Sequence, residues 1–334
     1  MEGGQVRGPS DSEGTGRGFR KAILINEHFV VYGVPAIAVP VLFPVEVQVT
    51  VRRGAGLRVL VHPATAEDAW HAEDTDRFEA IRRIMKAMGL SETERMTQIQ
   101  CVDDLSGWSG LGSSAGFCVA LARALCNALG RSCPDEEVNR IAYEGEKVFA
   151  ANPSGIDNAV ATYGRPLWFE RGRTPAWEWI RVGSPLWIVI GNSGMPSRTR
   201  DEVEKVARFR EAHPGLFSDL VQDATKLGRE ARLALESGDG KGLGAWMDQG
   251  HSMLQRVCVS NERLDEMVSF CRMQGALGAK LTGGGGGGCM LALVEDAPSG
   301  EAMVNGLEQL GYPAICVQLA PSGDAGTSRV PETV

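Results

Sequence analysis

Gly110-Leu111-Gly112-Ser113-Ser114-Ala115 stands between a strand-like segment, Met96 to Asp103, and an apolar segment, Ala115 to Leu129. In the latter, Val119, Ala122, Leu125, Cys126 and Leu129 fit one face of a helix. Glycines let the backbone turn so that successive N–H groups point into one concavity, and a helix start adds unpaired donors and a partial positive charge. Such a loop suits a phosphate, with a plain flexible linker as the alternative. The Lys-Ser/Thr ending of a Walker loop is absent, and so is the spaced Gly-x-Gly-x-x-Gly of a dinucleotide fold.

Upstream, Val45, Val47, Val49 and Val51 alternate with Glu46, Gln48, Thr50 and Arg52, a period of two that predicts half-buried strand. Strands are also expected at Lys21 to Ile25, from Ala36 and at Leu57 to His62, with a helix over Phe78 to Met88. Downstream, Glu136 to Ala150 reads as helix, and strands at Trp168 and Pro185 to Ile190 flank an irregular connection. Four helical patterns follow (200–211, 219–235, 243–255, 261–273), then a strand about Ala279, six consecutive glycines from Gly283 to Gly288, a strand 290–294, a helix to Leu310 and a strand 314–319. This order predicts an α+β protein of two lobes, 19–183 and 184–320. Residues 1–18, with Gly3, Gly4, Gly8, Gly14, Gly16 and Gly18, are expected to be a flexible lead, and 321–334 a tail.

The composition is that of a globular protein, 43% hydrophobic and 23% charged over 334 residues. A net charge of −8 gives no general attraction for nucleic acid or anionic membrane, so any phosphate must be held by local chemistry. The eight cysteines contain no Cys-x-x-Cys pair, and reduced thiols are the expectation. The first residues lack a secretory pattern, and no apolar run approaches membrane-spanning length. A cytoplasmic location is expected, with a peroxisome-related organelle the alternative, although Glu332-Thr333-Val334 is not of the Ser-Lys-Leu type.

Several side chains suit phosphoryl transfer. Glu146 and Asp157, the latter in Pro153-Ser154-Gly155-Ile156-Asp157-Asn158, follow the glycine loop; one carboxylate can hold a divalent cation and one can orient or deprotonate a hydroxyl. Their plainer readings are a solvated helix residue and a turn cap. Lys21 ends a basic approach to a strand that leads to Glu27-His28, and a lysine there can stabilise charge on a transferring phosphoryl. The six glycines, set between apolar strands, imply close backbone approach to a ligand or another segment.

Taken jointly, Lys21 to Gly33, Gly110 to Ala115, Glu146 through Asn158 and Lys280 to Cys289 resemble the three signature regions of the GHMP small-molecule kinases. Glu27-His28-x-Val30-Val31-Tyr32-Gly33 and Pro153 to Asn158 are similar to the mevalonate-phosphorylating branch of that family. The resemblance implies a ribosomal-protein-S5-like N-terminal lobe and a ferredoxin-like C-terminal lobe. It also implies ATP as co-substrate, Mg²⁺ held by Ser114 and Glu146, and phosphates wrapped by Ser109, Gly110, Leu111, Gly112, Ser113 and Ser114. Asp157 would act on the substrate hydroxyl, Lys21 on the transition state, and His28, Glu27 and Thr199 on the substrate, which for that branch is mevalonate. Inhibition by prenyl diphosphates and a monomeric or homodimeric state are further implications; a kinase for another small alcohol, or a non-catalytic sensor on the same fold, are the rival readings. Three positions depart from the family pattern: Asn26 where glycine is usual, Trp108-Ser109 in the approach to the loop, and Gly284 where Ala or Ser is usual.

Overall fold

The computed structural model describes residues 12–53, 56–62, 75–91, 95–102, 108–149, 153–173, 176–197 and 199–319. Two compact units emerge, and they are not consecutive halves of the chain. The first takes the chain up to Phe19, Pro44–Ser106 and Ser114–Thr162; the second takes Arg20–Phe43, Gly107–Ser113 and everything from Tyr163. These units do not coincide with the lobes 19–183 and 184–320 expected from the sequence. Backbone bonds explain the regrouping: Lys21 N–H donates to Leu111 O at 2.9 Å, and Ile23 N–H donates to Thr282 Oγ1 at 3.2 Å, which draws 20–25 and the glycine loop into the C-terminal part.

In the first unit, β2 (Ala36–Arg53) contributes its C-terminal half, where Glu46 to Arg53 pair antiparallel with β4 (Arg95–Val102). β4 pairs parallel with β3 (Gly56–His62). The alternation read from the sequence is realised, since Val45, Val47, Val49 and Val51 are all buried. They meet Ile81, Ile84 and Met85 of α1 (Thr75–Ala87) and Phe117, Leu121 and Leu125 of α2 (Ser113–Ala128) in one core. α3 (Asp135–Phe149) packs on α1 through Val138, Ile141 and Ala142. A helix, α4 (Ile156–Tyr163), stands where a turn is the plainer expectation around Asp157; Asn158 Nδ2 donates to both Asn139 O and Asn139 Oδ1 at 2.6 Å, clasping α4 to α3.

The flexible lead expected over 1–18 is also corrected, because β1 (Ser12–Ile25) begins at Ser12; residues 1–11, like the tail 321–334, lie outside the described residues. Gly14, Gly16 and Gly18 share one face of this strand. A Cβ on Gly14 would lie 2.9 Å from Ala128 Cα, on Gly16 2.8 Å from Arg123 Cβ, and on Gly18 2.9 Å from the Gly116 carbonyl carbon. The glycines thus let strand backbone lie directly on α2, whose facing positions are Gly116, Ala120, Ala124 and Ala128. Asn127 Nδ2 and Arg123 Nη1 complete the contact by donating to Thr15 O and Arg17 O, each at 2.7 Å. A further correction concerns thiols: Cys126 and Cys133 are disulfide-bonded, with Cα atoms 6.3 Å apart, tying the end of α2 to the segment before α3.

The second unit has two sheets' worth of strands. Ala36 to Ala38 of β2 pair with β5 (Leu167–Phe169), which pairs with β6 (Trp177–Trp179). The rest is built from β7 (Leu186–Asn192), α5 (Thr199–Ala212), α6 (Pro214–Ser237), α7 (Gly240–Arg256), α8 (Glu262–Met273), β8 (Gly278–Leu281), β9 (Cys289–Val294), α9 (Ala297–Gln309) and β10 (Ala314–Leu319). Its four strands run β10-β7-β9-β8, all antiparallel, which is the ferredoxin-like order with helices between strands. Asp239, Asn261 and Asp296 cap α7, α8 and α9 by accepting the N–H three residues on, at 2.8 to 2.9 Å. No helix among the described residues is long and apolar enough to cross a membrane.

The glycine face of β1 makes a direct stability prediction. Gly16→Ala forces a methyl into α2 and should destabilise the protein by about 1–3 kcal/mol, read as a lower urea midpoint at unchanged slope. Gly130→Ala, at a left-handed turn with open space beside it, is the control for a glycine lost without a clash.

Candidate active site

Within the second unit two glycine loops lie backbone against backbone. Gly110 (φ 91°) faces Gly283 (φ 77°), and a Cβ on Gly283 would stand 2.6 Å from Gly110 Cα. Gly112 (φ 64°) is held open for a different reason, since the Lys21 stem crosses it and a Cβ there would lie 2.8 Å from Lys21 Cγ. Leu111 is fully buried and anchors the loop. Ser109 Oγ and Ser113 Oγ are buried without a hydrogen-bond partner among the described residues. Unspent hydroxyls in a glycine loop at the start of α2 fit a phosphate ligand.

The six glycines are packed against protein. Gly286 N–H donates to Val259 O and Gly288 N–H to Met195 O, both at 2.8 Å, while a Cβ on Gly288 would lie 2.7 Å from Ser109 Oγ. Thr282 Oγ1 donates to Ile23 O at 3.0 Å, and Ser197 Oγ donates to Gly285 O at 2.5 Å. Gly284, the family departure, lies beside Thr199: a Cβ there would be 3.1 Å from Thr199 Oγ1, so glycine lets the start of α5 approach.

After β1 the chain turns at Asn26, whose φ of 70° explains why a glycine-favouring position tolerates asparagine. Its Nδ2 donates to Pro35 O at 2.7 Å and Ala224 O at 2.9 Å, pinning the turn to α6. His28, at the head of a 3₁₀ turn Phe29–Tyr32, is buried with Nε2 2.7 Å from Gly284 O. Burial lowers the His28 pKa, so a neutral ring donates from Nε2–H and keeps Nδ1 as an acceptor. Glu27 is buried and forms an ion pair with Lys280, itself wholly buried.

The remaining candidates belong to the first unit. Ser114 sits in the first turn of α2, and Glu146 is buried on α3, accepting from the Cys118 thiol at 3.8 Å. Burial, and then the Glu146 charge, push that thiol's pKa well above its ordinary value. Asp157 is half-buried in the first turn of α4. Among the described residues no cluster of three or more His, Cys, Asp or Glu could hold a metal ion unaided. Mg²⁺ bound with nucleotide phosphates needs only one or two protein oxygens, so a buried carboxylate and the Ser114 hydroxyl fit it.

Lys21, Glu27, His28, Ser109 to Ser113 and Thr199 are thus gathered in one unit, while Ser114, Glu146 and Asp157 are held by the other. Lys280, Thr282, Ser197 and Cys118 were not singled out by the sequence reading. Only Lys280 carries a readable signal, a charge inside the apolar strand Gly278-Ala279-Lys280-Leu281.

This architecture and its glycine loops define the class: an ATP-dependent small-molecule kinase of the GHMP type. The family models for the GHMP kinases N terminal domain and GHMP kinases C terminal match residues 77–165 and 231–313. The chain is 31% identical to a mevalonate kinase of Aeropyrum pernix over 287 residues, 83% of this chain and 87% of that one. A mevalonate kinase of Thermococcus sibiricus is 31% identical over 299 residues, 84% and 88% of the two chains. Among solved structures, L. major mevalonate kinase in complex with R-mevalonate matches with a TM-score of 0.86 at 30% identity, over 94% of this chain and 99% of that one. The chain belongs to the mevalonate kinase family of GHMP kinases.

Behind β8, His251 is buried on α7, with Nε2 3.1 Å from Asp265 Oδ1 and Nδ1 accepting from Leu281 N–H at 3.3 Å. Burial drives its pKa from 6.5 to about 4. The folded state therefore binds fewer protons than the unfolded state between those values, and stability present above pH 6.5 is lost as pH falls toward 4. We expect a steeper fall in Tm over that window for the wild type than for His251→Gln, measured in parallel thermal melts.

Proposed function

We propose that this enzyme transfers the γ-phosphoryl group of ATP to the 5-hydroxyl of mevalonate, giving 5-phosphomevalonate and ADP, a step in isoprenoid precursor synthesis. The observation that carries it is the Glu27-His28 turn. It is buried beside Gly284, the neighbour of Thr199, in the same unit as the Gly110 loop, which brings substrate-type and phosphate-type groups onto one framework.

In this reading the N–H groups from Gly110 onward, with the Ser109 and Ser113 hydroxyls, take the ATP phosphates. Ser114 and Glu146 hold Mg²⁺, which when bound neutralises phosphate charge. The substrate hydroxyl attacks the γ-phosphorus; its new O–P bond forms as the bond to the β-phosphate oxygen breaks and ADP leaves. Asp157 takes the hydroxyl proton, and the ammonium of Lys21, whose stem crosses Gly112, offsets the negative charge that builds on the transferring group. Neutral His28 offers Nδ1 to a substrate hydroxyl, with Glu27 and Thr199 as further polar contacts.

Mevalonate-dependent ADP release by the purified protein tests the assignment, with galactose and phosphomevalonate as competing alcohols. Turnover of either in preference to mevalonate would overturn it. Asp157→Asn should cut kcat by two or more orders of magnitude, about 3 kcal/mol of barrier, with both KM values little changed.

Regulation follows from the same cradle. A donor-rich loop at a helix start selects charge and size rather than adenine, so a prenyl diphosphate head group fits it. Farnesyl diphosphate should inhibit competitively with ATP and not with mevalonate. Isopentenyl diphosphate should be much weaker, since each buried methylene is worth at most about 0.8 kcal/mol. Inhibition insensitive to ATP concentration would separate the two sites.

A further inference from the structure

Lys280 is a wholly buried charge in the second unit, with no exposed side-chain surface. Its ammonium is committed twice, to Glu27 Oε1 and to Leu281 O at 2.7 Å. Leu281 is held in turn, because its N–H donates to His251 Nδ1, and His251 Nε2 faces Asp265, which also accepts from Ser260 Oγ at 2.5 Å. A chain of polar contacts therefore runs from α8 through α7 and β8 to the turn after β1. It ends on Glu27, whose second oxygen, Oε2, is buried and has no hydrogen-bond partner among the described residues.

A buried lysine and glutamate placed together only for stability would have every oxygen satisfied, because an orphaned carboxylate oxygen in a low-dielectric site is costly. Here one oxygen is used to hold the carboxylate in place and the other is left open. Burial lowers the Lys280 pKa, and the charge and hydrogen bond of Glu27 oppose that shift. The next residue is His28, fixed on Gly284 O. The lysine thus fixes one member of the Glu27-His28 pair while the six-glycine loop fixes the other.

We propose that Lys280 is a positioning residue for the alcohol substrate: it fixes Glu27 so that the free Oε2 accepts a hydrogen bond from a substrate hydroxyl. The inference rests on the substrate assignment of Glu27 and His28 above. Lys280 touches neither ATP nor the reacting atoms in this account, so its loss should act on alcohol binding and not on nucleotide binding.

A double-mutant cycle tests it with the intact chain: wild type, Lys280→Met, Glu27→Gln and the double variant E27Q/K280M, each measured for KM of mevalonate, KM of ATP, kcat and Tm. If Lys280 acts through Glu27, K280M raises the mevalonate KM at least tenfold while the ATP KM changes less than twofold. The same substitution made on top of E27Q then adds less than twofold. Multiplying effects in the double variant, or an ATP KM that rises in step, would overturn the proposal, as would a folded K280M protein with wild-type mevalonate KM. K280M leaves a buried carboxylate uncompensated and can fail to fold. In that case E27Q against E27Q/K280M decides, since neither variant leaves a buried carboxylate without its counter-charge, and a mevalonate KM differing by more than twofold between them rejects the positioning role. Failure of the substrate assignment is visible separately, as a wild-type protein that turns over another alcohol and not mevalonate; the cycle is then read on the KM of that alcohol.

Discussion

The contact between Gly110 and Gly283 sets the terms for the rest of the second unit. A Cβ on Gly283 would stand 2.6 Å from Gly110 Cα and one on Gly110 3.0 Å from Thr282 O, and both residues adopt φ values that side chains disfavour. Once the loops are stacked, Lys21 is drawn across Gly112 by its N–H bond to Leu111 O, and Ile23 is drawn to Thr282. The start of the chain is thereby held to a strand end more than 250 residues away, and Glu27 comes within reach of Lys280. Conformational entropy opposes six consecutive glycines. What offsets it is that four of the six stand against a neighbouring backbone or hydroxyl that any side chain would strike.

Much of this was legible in the sequence, and the successes share a cause. The valines of β2 and the apolar face of α1 obey simple periods because each element has one buried side, and the glycine loop followed by a helix has few structural meanings. The misses share one too. Gly14, Gly16 and Gly18 were read as freedom, yet alternation is what matters, because on a strand every second residue faces the same neighbour. Composition alone cannot tell a glycine that lacks a partner from one that makes room for it. The α4 helix was hidden for a related reason: its eight residues are too few for a periodic signal, and Asn158 secures it through Asn139, nineteen positions away.

The candidate site was legible as residues but not as connections. Nothing local in the sequence joins Lys280 to Glu27, and nothing around Cys118 announces that its thiol would meet Glu146. Long-range polar pairs obey no period, so they emerge only once the backbone path is known. Asn26 is an instructive intermediate: as a departure from a glycine pattern it looks like a loss, but its left-handed backbone and two side-chain bonds to Pro35 O and Ala224 O make it a glycine substitute with an added anchor.

Buried charge distinguishes the two ends of the second unit that we propose take the nucleotide and the alcohol. Around the Gly110 loop the protein presents neutral donors, N–H groups and hydroxyls, which can accept a highly charged ligand without bringing a fixed charge of their own apart from Lys21. Around Glu27 it does the opposite, committing a full ion pair inside the protein, where breaking one partner typically costs about 3–5 kcal/mol. Such a pair is a poor source of stability but a strong source of rigidity, because neither charge can move without losing the other. An alcohol offers only hydroxyls and a small charge for recognition, so a rigid acceptor discriminates where a mobile one would adapt. The nucleotide needs no such rigidity, since its phosphates are recognised by charge and by the number of donors that surround them. The division of labour proposed within one unit thus follows from what each ligand can offer.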